Sequence, residues 1–188
     1  MKKFMAIFVA FLVAVGAVIC TERVHTGYVG VVYSAKGVEQ QTISQGWHFM
    51  SPLKHVSEFP ITQQRVVFSN APSDYGTKEH ADWHIDAPAN GGTIAINLTV
   101  NYNFLPEHVV ELYTKFGGMD GESLMESKIQ NDIIAYVKEV TPQFSVMQIY
   151  SDDRAGVNTA ITNYLNEKLT AEYGINVSSA LIVDAQPD

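Results

Sequence analysis

The stretch "TIAINLTVNYNF", residues 93–104, constrains the fold more than any other part of the chain. Ile94, Ile96, Leu98, Val100, Tyr102 and Phe104 recur at every second position, with Ala95, Asn97, Thr99, Asn101 and Asn103 between them. Six matches to a period of two predict a half-buried strand with one apolar and one polar face. Asn90-Gly91-Gly92 just before it is a hairpin turn, and Trp83, Ile85 and Ala87 alternate ahead of that turn.

The residues before and after this strand differ in kind. Residues 24–69 read as short strands: "GYVGVVYS", a Lys36-Gly37 turn, "WHFM" after Gln45-Gly46, and "VSEFPITQQRVVFS" with a proline suited to an edge strand. After Phe104 the period changes. "PEHVVELYTKF" predicts a short helix stopped by Gly117-Gly118. A longer helix follows from about Glu122 to Val140, with Leu124, Ile129, Ile133, Val137 and Val140 on one stripe. Asp152 or Asp153 can cap a third, striped by Val157, Ile161, Leu165 and Leu169 and ended by Gly174, before "INVSSALIVDA" closes as a strand. The order predicts an α+β domain over 24–188, mainly strands over 24–104 and mainly helices over 105–188, and not a doubly wound sheet.

Residues 1–23 are of another class. Lys2 and Lys3 precede seventeen uncharged residues, Phe4 to Cys20, and Glu22 and Arg23 follow. A helix of that length reaches roughly 25 Å, enough for a thin bilayer. Phe4, Ile7, Phe8, Phe11, Leu12 and Ile19 are the expected membrane anchor, inserted with the N-terminus cytoplasmic and the main domain on the opposite side. The alternative is a cleaved signal peptide, with Val15-Gly16-Ala17 as the cleavage site, which would release a secreted or periplasmic binding module.

Charge and motif content narrow the function. The net charge is −8, and residues 120–174 hold nine carboxylates against four bases, which disfavours nucleic acid as a partner. The single cysteine, Cys20, excludes an intrachain disulfide framework and a thiolate zinc site. His80, Asp82 and His84 suggest a metal, but that histidine spacing converges only on a helix, and this segment reads as loop and strand. His48 and His55 read as packed or edge histidines. No nucleophile elbow and no phosphate loop are present, so no enzyme, cofactor or metal is expected. Trp47, Phe49 and Phe59 have two readings: packing within the small strand region, or placement at a headgroup layer as membrane-proximal aromatics.

In this order, the anchor, "VHTGYVGVVYSAKG", "GWHFMSPLKHVSEFP", "INLTVNYNFLPEHVVELYTKFG" and "IIAYVKEVTPQFSVMQIYSDDRAGVNTAITNYLNEKLTAEYGINVSSALI" resemble the stomatin–prohibitin–flotillin (SPFH, band 7) family, in a prohibitin-like form. The resemblance covers about residues 4 to 184. It implies a non-enzymatic, membrane-associated scaffold that forms a homo-oligomer, organises membrane lipid, and partners a membrane-bound AAA protease. Family members usually continue into a long coiled coil. The sequence given ends at Asp188 without a heptad run, so lateral contact between domains is expected rather than a closed cage.

Overall fold

The computed structural model describes Met5 and residues 20–69 and 84–187. The expected anchor residues Phe4, Ile7, Phe8, Phe11, Leu12 and Ile19 lie outside them, as do His80, Asp82 and Trp83. Among the described residues no helix is long and apolar enough to cross a membrane.

In chain order the strands are β1 (Thr21–Val24), β2 (Tyr28–Ser34), β3 (Gly37–Ile43), β4 (Gly46–Phe49), β5 (Lys54–Pro60), β6 (Gln64–Phe68), β7 (Ile85–Ala89) and β8 (Gly92–Phe104). Helices α1 (Val109–Lys115), α2 (Gly121–Leu124), α3 (Gln130–Val140) and α4 (Arg154–Tyr173) follow, and β9 (Ile175–Pro187) closes the fold. Strands first, then helices and a returning strand, make the domain α+β.

Strand β8 is the spine. Its six alternating residues from Ile94 to Phe104 are all buried. Strand β9 pairs along one whole edge, from Ile94 opposite Pro187 to Phe104 opposite Ile175. The other edge is shared, with β7 beside Gly92–Ile96 and β6 beside Leu98–Tyr102. Ala89 sits opposite Gly92, so the predicted turn closes on Asn90 and Gly91, and Gly91 takes φ 104° as such a turn requires.

Strand β9 is less regular. Its register slips opposite Asn97/Leu98 and again opposite Asn101/Tyr102. Each slip inserts a residue, so the buried positions run Ile175, Val177, Ala180, Ile182 and Ala185 rather than strictly every second one.

Helix α4 covers β9 with two parallel stripes. Val157, Ile161, Leu165 and Leu169 are buried in the core. One position along, polar residues at the same four-residue spacing reach the outer edge of β9. Asn158 Oδ1 accepts from Ile182 N at 2.9 Å, Thr162 Oγ1 from Ala180 N at 2.8 Å, and Asn166 Oδ1 from Val177 N at 2.9 Å. Thr170 Oγ1 donates to Ile175 O at 2.7 Å. An edge that would otherwise offer unpaired N–H groups is therefore covered by a helix. Asp153 caps α4 through Gly156 N at 3.1 Å, and Gly174 closes it at φ 54°, where a Cβ would collide with His108.

A second sheet, in the order β3-β2-β5, packs against this body, and β5 is an edge strand, as Pro60 requires. Phe59 on β5 meets Phe104 on β8 edge to face, with centroids 5.4 Å apart. Gly121 opens α2 so close to this junction that a Cβ would stand 2.8 Å from Pro60 Cδ and 3.1 Å from Phe59 Cδ1. Helices α2 and α3 are one continuous run, joined by a π turn over Met125–Ile129. That turn explains why the predicted stripe steps five residues from Leu124 to Ile129, a poor fit to an ordinary helix.

Candidate functional site

Strands β1 and β4 form a two-stranded antiparallel ribbon, and its position follows from the chain path. Strand β1 begins one residue after Cys20, where the apolar run ends. Met50 N donates to Cys20 O at 2.8 Å, and Thr21 lies opposite Phe49. The end of the apolar run is thus tied to the end of β4.

Side chains alternate across this ribbon. Val24 is buried and faces inward. Thr21, Arg23, Trp47 and Phe49 are cross-strand pairs on the opposite, outward face. Trp47 is 70% exposed, Phe49 79%, and Leu53 in the following turn 77%. The Arg23 guanidinium stands 5.6 Å from the Trp47 ring centroid, a cation–π pair that presents a cation and an aromatic plane together. His48 turns the other way, its Nε2 2.6 Å from Ser44 O.

The three aromatics singled out in the sequence therefore separate. Trp47 and Phe49 are not core residues, since β1 and β4 have no layer over their outer face among the described residues. Phe59 is 0% exposed and cannot reach a headgroup layer, because β8 and α2 enclose it. Arg23 beside the Trp47 ring and the exposed Leu53 of the following turn were not foreseen. The spacing Trp47-x-Phe49 within a strand was the available signal for a shared face.

The metal reading has no further support. His84 Nε2 lies 3.0 Å from Asp86 Oδ1, and among the described residues no group of three metal-ligating side chains occurs. His55 is exposed, with its ring 5.5 Å from that of Tyr33.

The polar faces of α3 and α4 are partly turned toward each other. Tyr136 donates to Glu172 Oε2 at 2.9 Å, Tyr164 to Glu139 Oε2 at 2.5 Å, and Tyr173 to Asp132. Burial, then the bond to Glu172, pushes the Tyr136 phenol up to about 12. Burial and the Asp132 contact also raise Tyr173. A phenol whose folded pKa exceeds its unfolded value contributes stability below pH ~10 that is lost as pH rises through the folded value. The melting temperature should accordingly fall between pH ~10 and 12, and Tyr136→Phe should flatten part of that fall in a pH series of thermal melts.

Fold and surface together define an α+β module with an aromatic ribbon at the point where an apolar segment enters it. A model of the SPFH domain / Band 7 family matches residues 22–188, and the chain belongs to that family. No curated protein sequence matches it.

Proposed function

We propose that this protein is a single-pass membrane scaffold, anchored by residues 1–23, with its SPFH domain resting on the bilayer surface through the β1–β4 ribbon. The observation that carries this reading is the patch of Trp47, Phe49 and Leu53, exposed beside the chain's exit from the apolar run. Aromatic rings paired with a cation suit the headgroup layer, where one part of the group is apolar and another wet. Two tethers, anchor and ribbon, fix the orientation of the domain relative to the bilayer. Copies held in one plane at one orientation meet at high effective concentration, so weak lateral contacts suffice for self-association. Lipid ordering and regulation of a membrane protease are the activities such an assembly would serve; prohibitin-like behaviour is the form we favour.

The test uses tryptophan as a depth probe. The chain has two tryptophans, so Trp83→Phe leaves Trp47 as the sole emitter. In vesicles of brominated lipid, Trp47 emission should be quenched by roughly half or more, and most strongly by bromines near the interface. Emission unaffected by any bromolipid would refute the ribbon's placement. Extraction by carbonate, with a mature N-terminus at Val18 or later, would refute the anchor and leave a released binding module.

A further inference from the structure

The turn between β7 and β8 holds the chain's one Asn-Gly pair, Asn90-Gly91. Both residues are exposed, and a Cβ on Gly91 would meet no heavy atom within 4 Å. The backbone of Asn90 also ties this turn to another part of the fold. Its N–H donates to Phe144 O at 2.8 Å, its carbonyl accepts from Val146 N at 3.2 Å, and the residue lies parallel to Ser145. A trans peptide sets N–H opposite C=O, so the carbonyl aimed at Val146 turns the Gly91 N–H away from that segment.

These features meet the needs of one intramolecular reaction. An asparagine side chain holds its amide carbon one methylene from the backbone, where the nitrogen of the next residue can close a five-membered ring on it. A following side chain hinders that approach, and glycine has none. We propose that Asn90-Gly91 is a spontaneous modification site, at which deamidation to an isoaspartyl linkage cuts the tie between the β7–β8 turn and residues 144–146. Gly91 N bonds to Asn90 Cγ as its proton goes to hydroxide, and the side-chain nitrogen departs as ammonia after taking a proton from water. Water then opens the succinimide. Addition at the former side-chain carbonyl leaves an aspartyl residue at position 90, and addition at the former main-chain carbonyl leaves an isoaspartyl one. Nothing is oxidised or reduced. In the isoaspartyl form the main chain runs through Cβ and Cγ, which lengthens it, and the old carbonyl becomes a free carboxylate. A turn that closes Ala89 directly on Gly92 has no slack for this change, and the acceptor for Val146 N leaves the main chain.

A second pair in the chain serves as an internal comparison. Asp120-Gly121, the one Asp-Gly pair, can form the same ring with loss of water. There Asp120 Oδ1 accepts from Ser123 N at 2.8 Å, which holds the carboxylate in the cap of α2. Gly121 is buried beside Pro60 and Phe59, which block the movement that ring closure needs. This pair is expected to stay intact. The Asn90 site stands on the turn alone and does not require the membrane placement of the ribbon.

The experiment ages the full chain in detergent, in warm and mildly alkaline buffer. Isoaspartate is read by enzymatic methyl-esterification of its free carboxylate and by peptide mass. The label should map to position 90, at a yield at least roughly tenfold above that at Asp120 or at any other asparagine. It should rise with pH, because the attacking nitrogen must give up a proton. Asn90→Ser keeps the backbone ties and lacks the amide, so it should remove the label and leave the melting temperature within a few degrees. In the isoaspartyl form, amide exchange at Val146 should be faster by at least about tenfold. If Asn90 stays intact while a free peptide of residues 85–95 converts, the tie to 144–146 keeps the ring from closing and the proposal is overturned. A label that persists in Asn90→Ser, or unchanged exchange at Val146 in the isoaspartyl form, would overturn it as well.

Discussion

Phe59→Ala is expected to destabilise the domain by about 3–5 kcal/mol, the range for removing a fully enclosed phenylalanine, against a total stability of roughly 5–15 kcal/mol. Phe59 is 0% exposed, and its ring joins three parts: the β3-β2-β5 sheet, Phe104 on the spine strand, and the start of α2 at Gly121. The cavity would open where these meet, and β5 cannot collapse into it without tearing from β2. Thermal melts should shift down by about 10 °C or more. Trp47→Ala with Phe49→Ala is the control that makes the result informative. Both rings are exposed on an uncovered ribbon face, so the pair should move the melting temperature by only a few degrees while weakening contact with lipid. Equal destabilisation by the two variants would mean that the ribbon face is packed against something, and the division of these aromatics into core and surface would fall.

That division shows what a sequence of this kind can and cannot reveal. The alternation in β8 was legible because one face meets a core and the other carries polar side chains that are half-buried apart from the buried Asn97, so its asparagines mark the pattern. Strand β9 carries two bulges, and each reverses the phase of burial, which leaves "INVSSALIVDA" with no single period to read. The five-residue step from Leu124 to Ile129 was visible, and its cause was a π turn that periodicity arguments do not contain. For Trp47 and Phe59 the local sequence was uninformative: each is an aromatic in a short strand near a proline. Which one is buried depends on whether a second layer covers that strand, and the covering residues, Phe104 and Gly121, are distant in the chain.

The stripe Asn158, Thr162, Asn166 and Thr170 looks like an ordinary solvated helix face in the sequence, and the contacts make it the cover for a strand edge. Replacing its three acceptors together, by Asn158→Leu, Thr162→Val and Asn166→Leu, leaves the N–H groups of Ile182, Ala180 and Val177 without partners. All three of those residues are buried, so water cannot replace the lost oxygens. An orphaned buried donor costs about 1–3 kcal/mol, and three along one edge should cost several in total, though less than a simple sum because α4 can shift as a unit. Added apolar surface on the substituted helix would offset a part of this. The expected results are a large drop in denaturant midpoint, amide exchange at the three N–H groups faster by at least about tenfold, and aggregation through the uncovered edge. Asn158→Asp separates hydrogen bonding from packing, since a carboxylate oxygen can accept from Ile182 N as the amide oxygen does. That single change should hold exchange at Ile182 near its original rate, whereas Asn158→Leu should not. If both leave the amide equally protected, the polar stripe has no part in holding the edge, and packing by Val157, Ile161, Leu165 and Leu169 alone secures β9.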